Sequence, residues 1–383
     1  MTKLEQLIEE LCPNGVEYRT LNTICNVYDG THQTPQYTDS GIKFASVENI
    51  ADPYATEKYI SVSDYEKYKI KPQRNDLLMT RIGSIGVCTV IESDEPLAYY
   101  VSLALLRPDN SILNSRYLKY AIESLHCRKE LRKRTLVNAV PIKINMGDIG
   151  KITLPVPPLP VQSEIVRILD NFTELTAELT AELTARKLQY EHYRNDLLTF
   201  EGNTRFEKLG ITCNMKSGKA IQAAQITAKP TENAPFACFG GNGIRGYVAQ
   251  ASHHGEFPII GRQGALCGNI NYATGDFYAT EHAVVVESKG DYLQRFLYYL
   301  LISMNLNQYK SQGAQPGLAV GNLENLIAPV PSIKEQERII SILDRFDAIC
   351  NDLSVGLPAE IEARQKQYEY YRDKLLTFGE VNV

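Results

Sequence analysis

The chain has no C-x-x-C pair among its eight cysteines, no apolar run of membrane-spanning length and no short catalytic motif. Without paired cysteines neither a zinc knuckle nor a dithiol redox centre is on offer, and reduced thiols inside a cell are the simplest reading. The start, Met1-Thr2-Lys3-Leu4-Glu5-Gln6, lacks the apolar core of a signal peptide, so a cytoplasmic location without a membrane is expected. P-loop, G-x-S-x-G and H-E-x-x-H patterns are missing as well, and catalysis by this chain alone is not expected. His253-His254, His282 and Cys267 fit no standard zinc spacing, so no metal site is assigned to them. An excess of acidic over basic residues is nearly absent too: 45 Asp and Glu against 40 Lys and Arg give −5. That balance argues mildly against a nucleic-acid partner, but the distribution of charge decides more than its sum.

What is present is a repetition. Pro155-Val156-Pro157, Gln162, Ile168-Leu169-Asp170 and Phe172 recur as Pro329-Val330-Pro331, Gln336, Ile342-Leu343-Asp344 and Phe346, an offset of 174. Gln189-Tyr190-Glu191-His192-Tyr193-Arg194 and Leu197-Leu198-Thr199-Phe200 return as Gln367-Tyr368-Glu369-Tyr370-Tyr371-Arg372 and Leu375-Leu376-Thr377-Phe378, an offset of 178. A period near half of 383 residues is too long for a solenoid and indicates two copies of one module. The composition, 44% hydrophobic and 22% charged, suits ordinary globular domains with their own cores.

Five segments follow from the pattern: a short N-terminal helix (1–15), a domain (16–157), a spacer helix (158–200), a second domain (201–331) and a second spacer helix (332–383). Both domains mix short β-like runs with turns and one helical patch, Arg116-Tyr117-Leu118 in the first and Arg295-Phe296-Leu297 in the second. In the first spacer Ile165, Ile168, Leu169, Phe172, Leu175, Leu179 and Leu183 step by three and four, which predicts one helix over about 161–199. In the second, Ser332 with Glu335 has the capping-box spacing, and Ile339, Ile342, Phe346, Ile349 and Leu353 form the stripe. Gly356-Leu357-Pro358 should break that helix. The expected fold class is α+β: two similar domains joined by two long helices that pair as an antiparallel coiled coil, with pseudo-two-fold symmetry. The N-terminal helix is expected near the second rod.

Several motifs admit two readings. Thr173-Glu174-Leu175-Thr176, Ala177-Glu178-Leu179-Thr180 and Ala181-Glu182-Leu183-Thr184 form a tandem four-residue unit, either an unremarkable helical stretch or a ruler in which each unit adds about 6 Å and a net rotation of roughly 40°. Gly241-Asn242-Gly243-Ile244-Arg245-Gly246 spells the dinucleotide fingerprint, but strand-like residues follow, so a tight hairpin turn at Asn242-Gly243 is expected. Arg128, Lys129, Arg132, Lys133 and Arg134, with Asn138 and Lys143 beyond, are either a solvated helix face or a phosphate-contacting surface. Lys216, Lys219, Arg245, Arg262-Gln263, Lys310, Gln312 and Gln315 are the polar tips of the second domain, of residue types that suit base edges. Glycines beside Arg81 and Arg262 either admit a ligand or only make turns.

Taken together these residues resemble the specificity subunits of type I restriction–modification enzymes, in particular those with T-A-E-L repeats in the spacer. The resemblance rests on the rod ends Gln189 to Phe200 and Gln367 to Phe378 and on Thr176-Ala177-Glu178-Leu179. It also rests on Asp29-Gly30-Thr31-His32, Arg81-Ile82-Gly83-Ser84-Ile85-Gly86 and Gly261 to Gly268. It implies a non-enzymatic subunit whose two domains each read half of a split, asymmetric sequence in double-stranded DNA, while the rods set the gap. Two methyltransferase subunits carrying S-adenosylmethionine and two ATP-driven restriction subunits would be its partners, and no cofactor would sit on this chain. The chain lacks the methyltransferase motif N-P-P-[YF], of which Asp52-Pro53-Tyr54 is only a near miss, so a fused methyltransferase is remote. The main rival is a two-headed scaffold for protein partners. Candidate DNA contacts are Thr31, His32, Gln33, Lys43, Arg81, Ser84, Arg128, Arg132, Lys133, Arg134, Asn138 and Lys143 in the first domain. In the second they are Lys216, Lys219, Asn242, Arg245, Arg262, Gln263, Lys310, Gln312 and Gln315, and the spacer contacts are Leu175, Leu179, Leu183, Ile342, Phe346 and Ile349.

Overall fold

The structure is a computed structural model and describes residues 2–264, 266–311, 316–352 and 355–381. The chain forms two compact units, residues 1–179 with 361–383, and residues 180–360. These units cut across the expected order of domain and rod. Each combines one globular domain with the start of one spacer helix and the end of the other.

In the first unit the core lies between a four-stranded sheet and the helices packed on it. The sheet runs in the order Cys25–Asp29, Leu103–Pro108, Leu77–Thr80, Cys88–Val90, all antiparallel. Leu77, Leu78 and Met79 are buried on both faces, as a central strand with an unbroken apolar run should be. A second four-stranded sheet (Tyr37–Thr38, Tyr59–Ile60, Ile42–Ala45, Leu97–Tyr99) carries a smaller cluster around Phe44, Ile60 and Tyr65. The N-terminal helix Lys3–Leu11 starts at a capping box of Thr2 and Glu5. It joins the end of the chain: Leu4 and Leu376 share the core, and Val16 N–H donates to Gly379 O at 2.8 Å.

The second unit has one six-stranded sheet in the order Cys213–Ser217, Ala283–Ser288, His253–Gly261, Ile270–Ala279, Phe236–Gly240, Gly243–Val248. Phe236–Gly240 and Gly243–Val248 are the expected hairpin, with Gly240 opposite Gly243. The connection is Gly241-Asn242, one residue earlier than expected, and Gly243 takes the positive φ of +93°.

Each domain is clamped to its own spacer start by the same glutamine, which is fully buried in both. Gln162 Oε1 accepts Asn114 N–H at 2.8 Å while its Nε2 donates to Ile112 O and Pro157 O. Gln336 repeats this with Leu293 N–H, Asp291 O and Pro331 O. An aspartate about two turns further on is also repeated. Asp170 takes Arg116 and Tyr120, and Asp344 takes Arg295 and Tyr299.

The first spacer is a continuous helix, Leu159–Leu197, entered through Pro157-Pro158, and the boundary between the units falls within its tandem repeats. Its early part pairs antiparallel with the C-terminal helix Leu357–Leu375: Ile165 shares a core with Leu376, and Phe172 stacks on Tyr371 at 5.4 Å. In the second unit its late part pairs antiparallel with Ile333–Asn351, where Phe346 meets Tyr190 and Tyr193 and Cys350 feels Lys187 and Arg186.

Three spacer readings need correction. Leu175 is 36% exposed and Ile349 is 44% exposed, while Ile342 is only half-buried. The packed face of Ile333–Asn351 keeps Ile339 and Phe346 of the expected stripe and replaces Ile342 and Ile349 with their neighbours Leu343 and Cys350. The sequence pattern gave weight to the β-branched residues and none to the buried cysteine. Leu353 lies outside the described residues. At Ser332 only one half of the capping box forms. Ser332 Oγ accepts Glu335 N–H at 3.3 Å, whereas the Glu335 carboxylate turns to Arg338. The helix ends at Asn351, ahead of the expected Gly356-Leu357-Pro358, and Leu357 and Pro358 already open the next helix; a Cβ at Gly356 would stand 2.5 Å from Ala348 O. Among the described residues no helix is long and apolar enough to cross a membrane.

Candidate nucleic-acid interface

The Arg-Gly segments that the sequence singled out occupy the same backbone frame in both units. In the first, Gly83 N–H donates to Ile142 O (2.9 Å), Ile144 N–H to Arg81 O (3.0 Å) and Leu136 N–H to Lys143 O (2.8 Å). In the second, Gly264 N–H donates to Pro316 O (3.0 Å), Leu318 N–H to Arg262 O (2.9 Å) and Ser311 N–H to Gly317 O (2.9 Å). Gly83 and Gly264 adopt φ of +84° and +92°, and a Cβ at either would meet nothing within 4 Å. Glycine is needed there for the left-handed turn, and the turn faces open space. Gly86 and Gly268 are positive as well, but they lie against neighbours, Leu131 Cδ1 and Asn307 N.

The two arginines that open these frames do different work. The Arg81 side chain is 9% exposed, with Nη1 donating to Asp29 Oδ1 at 3.3 Å and to Val101 O at 2.9 Å. Asp29 also holds His32 Nε2 at 2.9 Å. Arg81 is therefore a pin between strands rather than a free reader, which corrects its place among the DNA contacts. Arg262 stands in the matching position: its N–H donates to His282 O as that of Arg81 does to Ser102 O. Its Nη1 donates to Ser217 Oγ at 2.9 Å, and among the described residues it forms no ion pair. Ser217 ends its strand where Asp29 ends the corresponding one in the first unit. A neutral hydroxyl in place of a carboxylate leaves the positive charge of Arg262 uncompensated.

The basic helix Leu125–Arg134 packs on the first frame through Leu131. Arg128, Lys129, Arg132 and Lys133 are exposed. Lys133 and the half-buried Arg134 both pair with Glu130, at 3.0 and 2.7 Å, and these cations hold its carboxyl below its usual range. Among the described residues Arg128, Lys129, Arg132 and Lys143 form no ion pair. Ser84 and Asn138 are exposed on the paired loops 82–86 and 136–143. Thr31, His32 and Gln33 approach the frame through Asp29, and Thr31 and Gln33 line a cavity of about 590 Å³ with Tyr68 and Tyr99. Lys43 is not part of this surface. It lies 3.6 Å from Glu95 and 5.9 Å from the centre of the Tyr54 ring.

In the second unit Gln263 is exposed beside Arg262, and Lys310 Nζ donates to Asn307 Oδ1. Asn242 Oδ1 accepts Asn269 Nδ2 at 3.0 Å, which ties the hairpin turn to the 262–269 loop. Lys216, Lys219 and Arg245 are exposed and, among the described residues, form no ion pair. Gln312 and Gln315 lie outside the described residues, between Ser311 and Pro316. Sequence reasoning missed Asp29 and Ser217 as the pair that sets the charge of the arginines, and it missed the exposed apolar residues of loop 136–143. Only strand pairing across the sheet reveals the first. For the second, Leu136, Val137, Val140 and Ile142 around Pro141 were a readable signal. The histidines scatter: His253 stacks on Phe277, His254 meets Asp276 and His282 meets Glu281.

Comparison with known proteins gives a consistent assignment. Residues 13–186 and 201–363 each match the family described as "Type I restriction modification DNA specificity domain". The EcoprrI type I restriction enzyme specificity subunit of Escherichia coli is 44% identical over 304 residues, 75% of this chain and 74% of that protein. The type I restriction–modification S subunit of M. genitalium superposes with a TM-score of 0.60 at 16% identity, over 98% of this chain and 99% of that one. A chain from a structure of a type I R-M system gives a TM-score of 0.64 at 14% identity, over 97% and 99%. At those identities the two structures speak for the fold.

Proposed function

The chain belongs to the family of type I restriction–modification DNA specificity subunits, and from that we propose that each of its units reads one half of a bipartite, asymmetric duplex target. The observation that carries this reading is the duplicated frame. One backbone arrangement, with an open positive-φ glycine, appears in both units but bears different side chains: Ser84, Asn138 and Lys143 in the first, Arg262, Gln263 and Lys310 in the second. Unpaired cations beside each frame supply phosphate contacts, which position a protein on DNA without carrying sequence information. The exposed amide and guanidinium groups supply base contacts.

Adenine methylation, with S-adenosylmethionine, belongs to two methyltransferase subunits, and ATP-driven cleavage to two restriction subunits. The chain itself is the specificity component and carries neither reaction nor cofactor. Its site of action is the cytoplasm. The spacer helices set the unspecified gap and offer the docking surface for the methyltransferase subunits.

Methylome sequencing of a host that expresses this chain with its methyltransferase subunit tests the reading. A split methylated motif is expected. Exchanging residues 203–328 for the matching domain of a relative should then change one half of the motif only. If both halves change, the two-reader assignment is wrong. The rival scaffold reading predicts no steep loss of affinity with salt, whereas phosphate contacts require one.

A further inference from the structure

Loop 136–143 of the first unit presents an apolar surface to solvent. Val140 is fully exposed, Val137 is 63% exposed, and Leu136 and Ile142 are 43% and 37% exposed. The loop is nonetheless held at its base by the hydrogen bonds of Leu136 to Lys143 and of Gly83 to Ile142, with a further turn bond from Ala139 N–H to Leu136 O. An ordered loop that shows apolar groups to water marks a contact surface rather than leftover sequence. Its surroundings indicate what it contacts. Arg132 and Lys143 flank it without ion pairs among the described residues, so the occupant is polyanionic, and duplex DNA satisfies that charge.

We propose that Val140, supported by Val137, reads the 5-methyl group of a thymine in the half-site of the first unit. This rests on the DNA-reading function and deepens it. A valine side chain has no donor or acceptor, so it cannot distinguish bases by hydrogen bonds. On the major-groove edge of a base pair the feature it can recognise is the thymine methyl, through apolar contact. The cations of the basic helix hold the phosphates and fix the height of the tip above the bases. Full exposure of Val140 in the free protein means that its contact surface is kept for the complex.

The test uses the full chain assembled with its methyltransferase subunit and duplexes carrying its methylated motif. Each thymine is replaced in turn by deoxyuridine, which removes only the methyl group. One position should lose about fourfold in affinity, the worth of one buried methyl-sized group. Val140→Ala should weaken binding to the thymine duplex and abolish the thymine–deoxyuridine difference at that position. Because Val140 touches little of its own unit, this variant should fold and keep its salt slope. Indifference to every deoxyuridine, or a sensitivity that Val140→Ala leaves intact, overturns the proposal while the DNA-reading function stands. Loss of the methyltransferase subunit from Val140→Ala, with thymine sensitivity unchanged, makes the loop a protein-docking surface instead and also overturns it. A complex with no sequence selectivity at any salt removes the underlying function itself.

Discussion

Single side chains here divide into those that hold the frame and those that face outward, and the division can be measured. Arg81→Ala removes the buried guanidinium that ties Asp29 to Val101 O and should cost about 1–3 kcal/mol of stability, seen as a lower Tm. The target sequence should not change. Arg262→Ala should do the reverse, relaxing discrimination by about 1–3 kcal/mol at one or two positions with little change in Tm. Arg132→Ala should weaken binding to all sequences and reduce the salt slope by about 0.9, one phosphate contact. Lys133→Ala should do less, because Lys133 is already paired with Glu130. Glu164 offers a pH test. Its side chain is 3% exposed and is gripped by Arg167 at 2.6 Å and Lys3 at 3.0 Å, which lowers its pKa from 4.5 to about 2. A lowered native pKa stabilises the fold fully above the unfolded value and loses that contribution as pH falls towards 2. Both cations are largely exposed, so the gain is roughly 1 kcal/mol. Glu164→Gln should therefore melt earlier than the wild type at pH 7, with the difference vanishing near pH 2.

The spacer helix is the element whose length has a consequence. Along its tandem units only Thr176, Leu179 and Leu183 are half-buried, and Ala177, Glu178, Thr180, Ala181 and Glu182 are exposed. A segment packed this lightly tolerates removal of one unit. Deleting Thr176 to Leu179 shortens the helix by about 6 Å and removes a net rotation of roughly 40°. One base pair of B-DNA turns by roughly 34–36°. A reader turned away from its groove loses its base contacts, whereas a small axial error is absorbed by tilt. Both half-sites should thus be retained and the gap in the methylated motif should shorten by one base pair, and an unchanged gap would show that the repeat does not set the spacing. Helix existence and approximate limits were legible in the sequence because apolar periodicity and the Pro157-Pro158 and Gly356-Pro358 signals are local. The packed face of Ile333–Asn351 was not, since Cys350 and Gln336 are buried for reasons that lie on other elements. The same limit hid the burial of Arg81. Its partners, Asp29 and Val101, are distant in sequence and are reached only when the strands have paired.

At the scale of the whole molecule, the two sequence offsets, 174 and 178, differ because the second spacer is four residues longer between its start and its end. The first offset relates the starts of the two spacers and the second relates their ends, and each unit takes one of each. The family and the doubling were readable from those residues. The pairing of rod start with rod end within a unit was left to the structure. Ending the chain at residue 360 should accordingly disrupt the first unit, whose core includes Leu376 and whose Tyr18 hydroxyl donates to Phe378 O, and spare the second. Limited proteolysis should show residues 180–360 resistant and residues 16–157 cut, and the opposite pattern would refute this division. The same composition sets an order in time. A ribosome delivers the chain from its N-terminus, yet the first unit lacks its closing helix until the last residues emerge, about 200 residues after the rest of it. At roughly 5–20 residues per second, that is a wait of roughly 10–40 s. The second unit, contiguous over 180–360, can fold during that interval. The half of the protein made first is finished last, and during synthesis the N-terminal domain is the one that needs protection from aggregation.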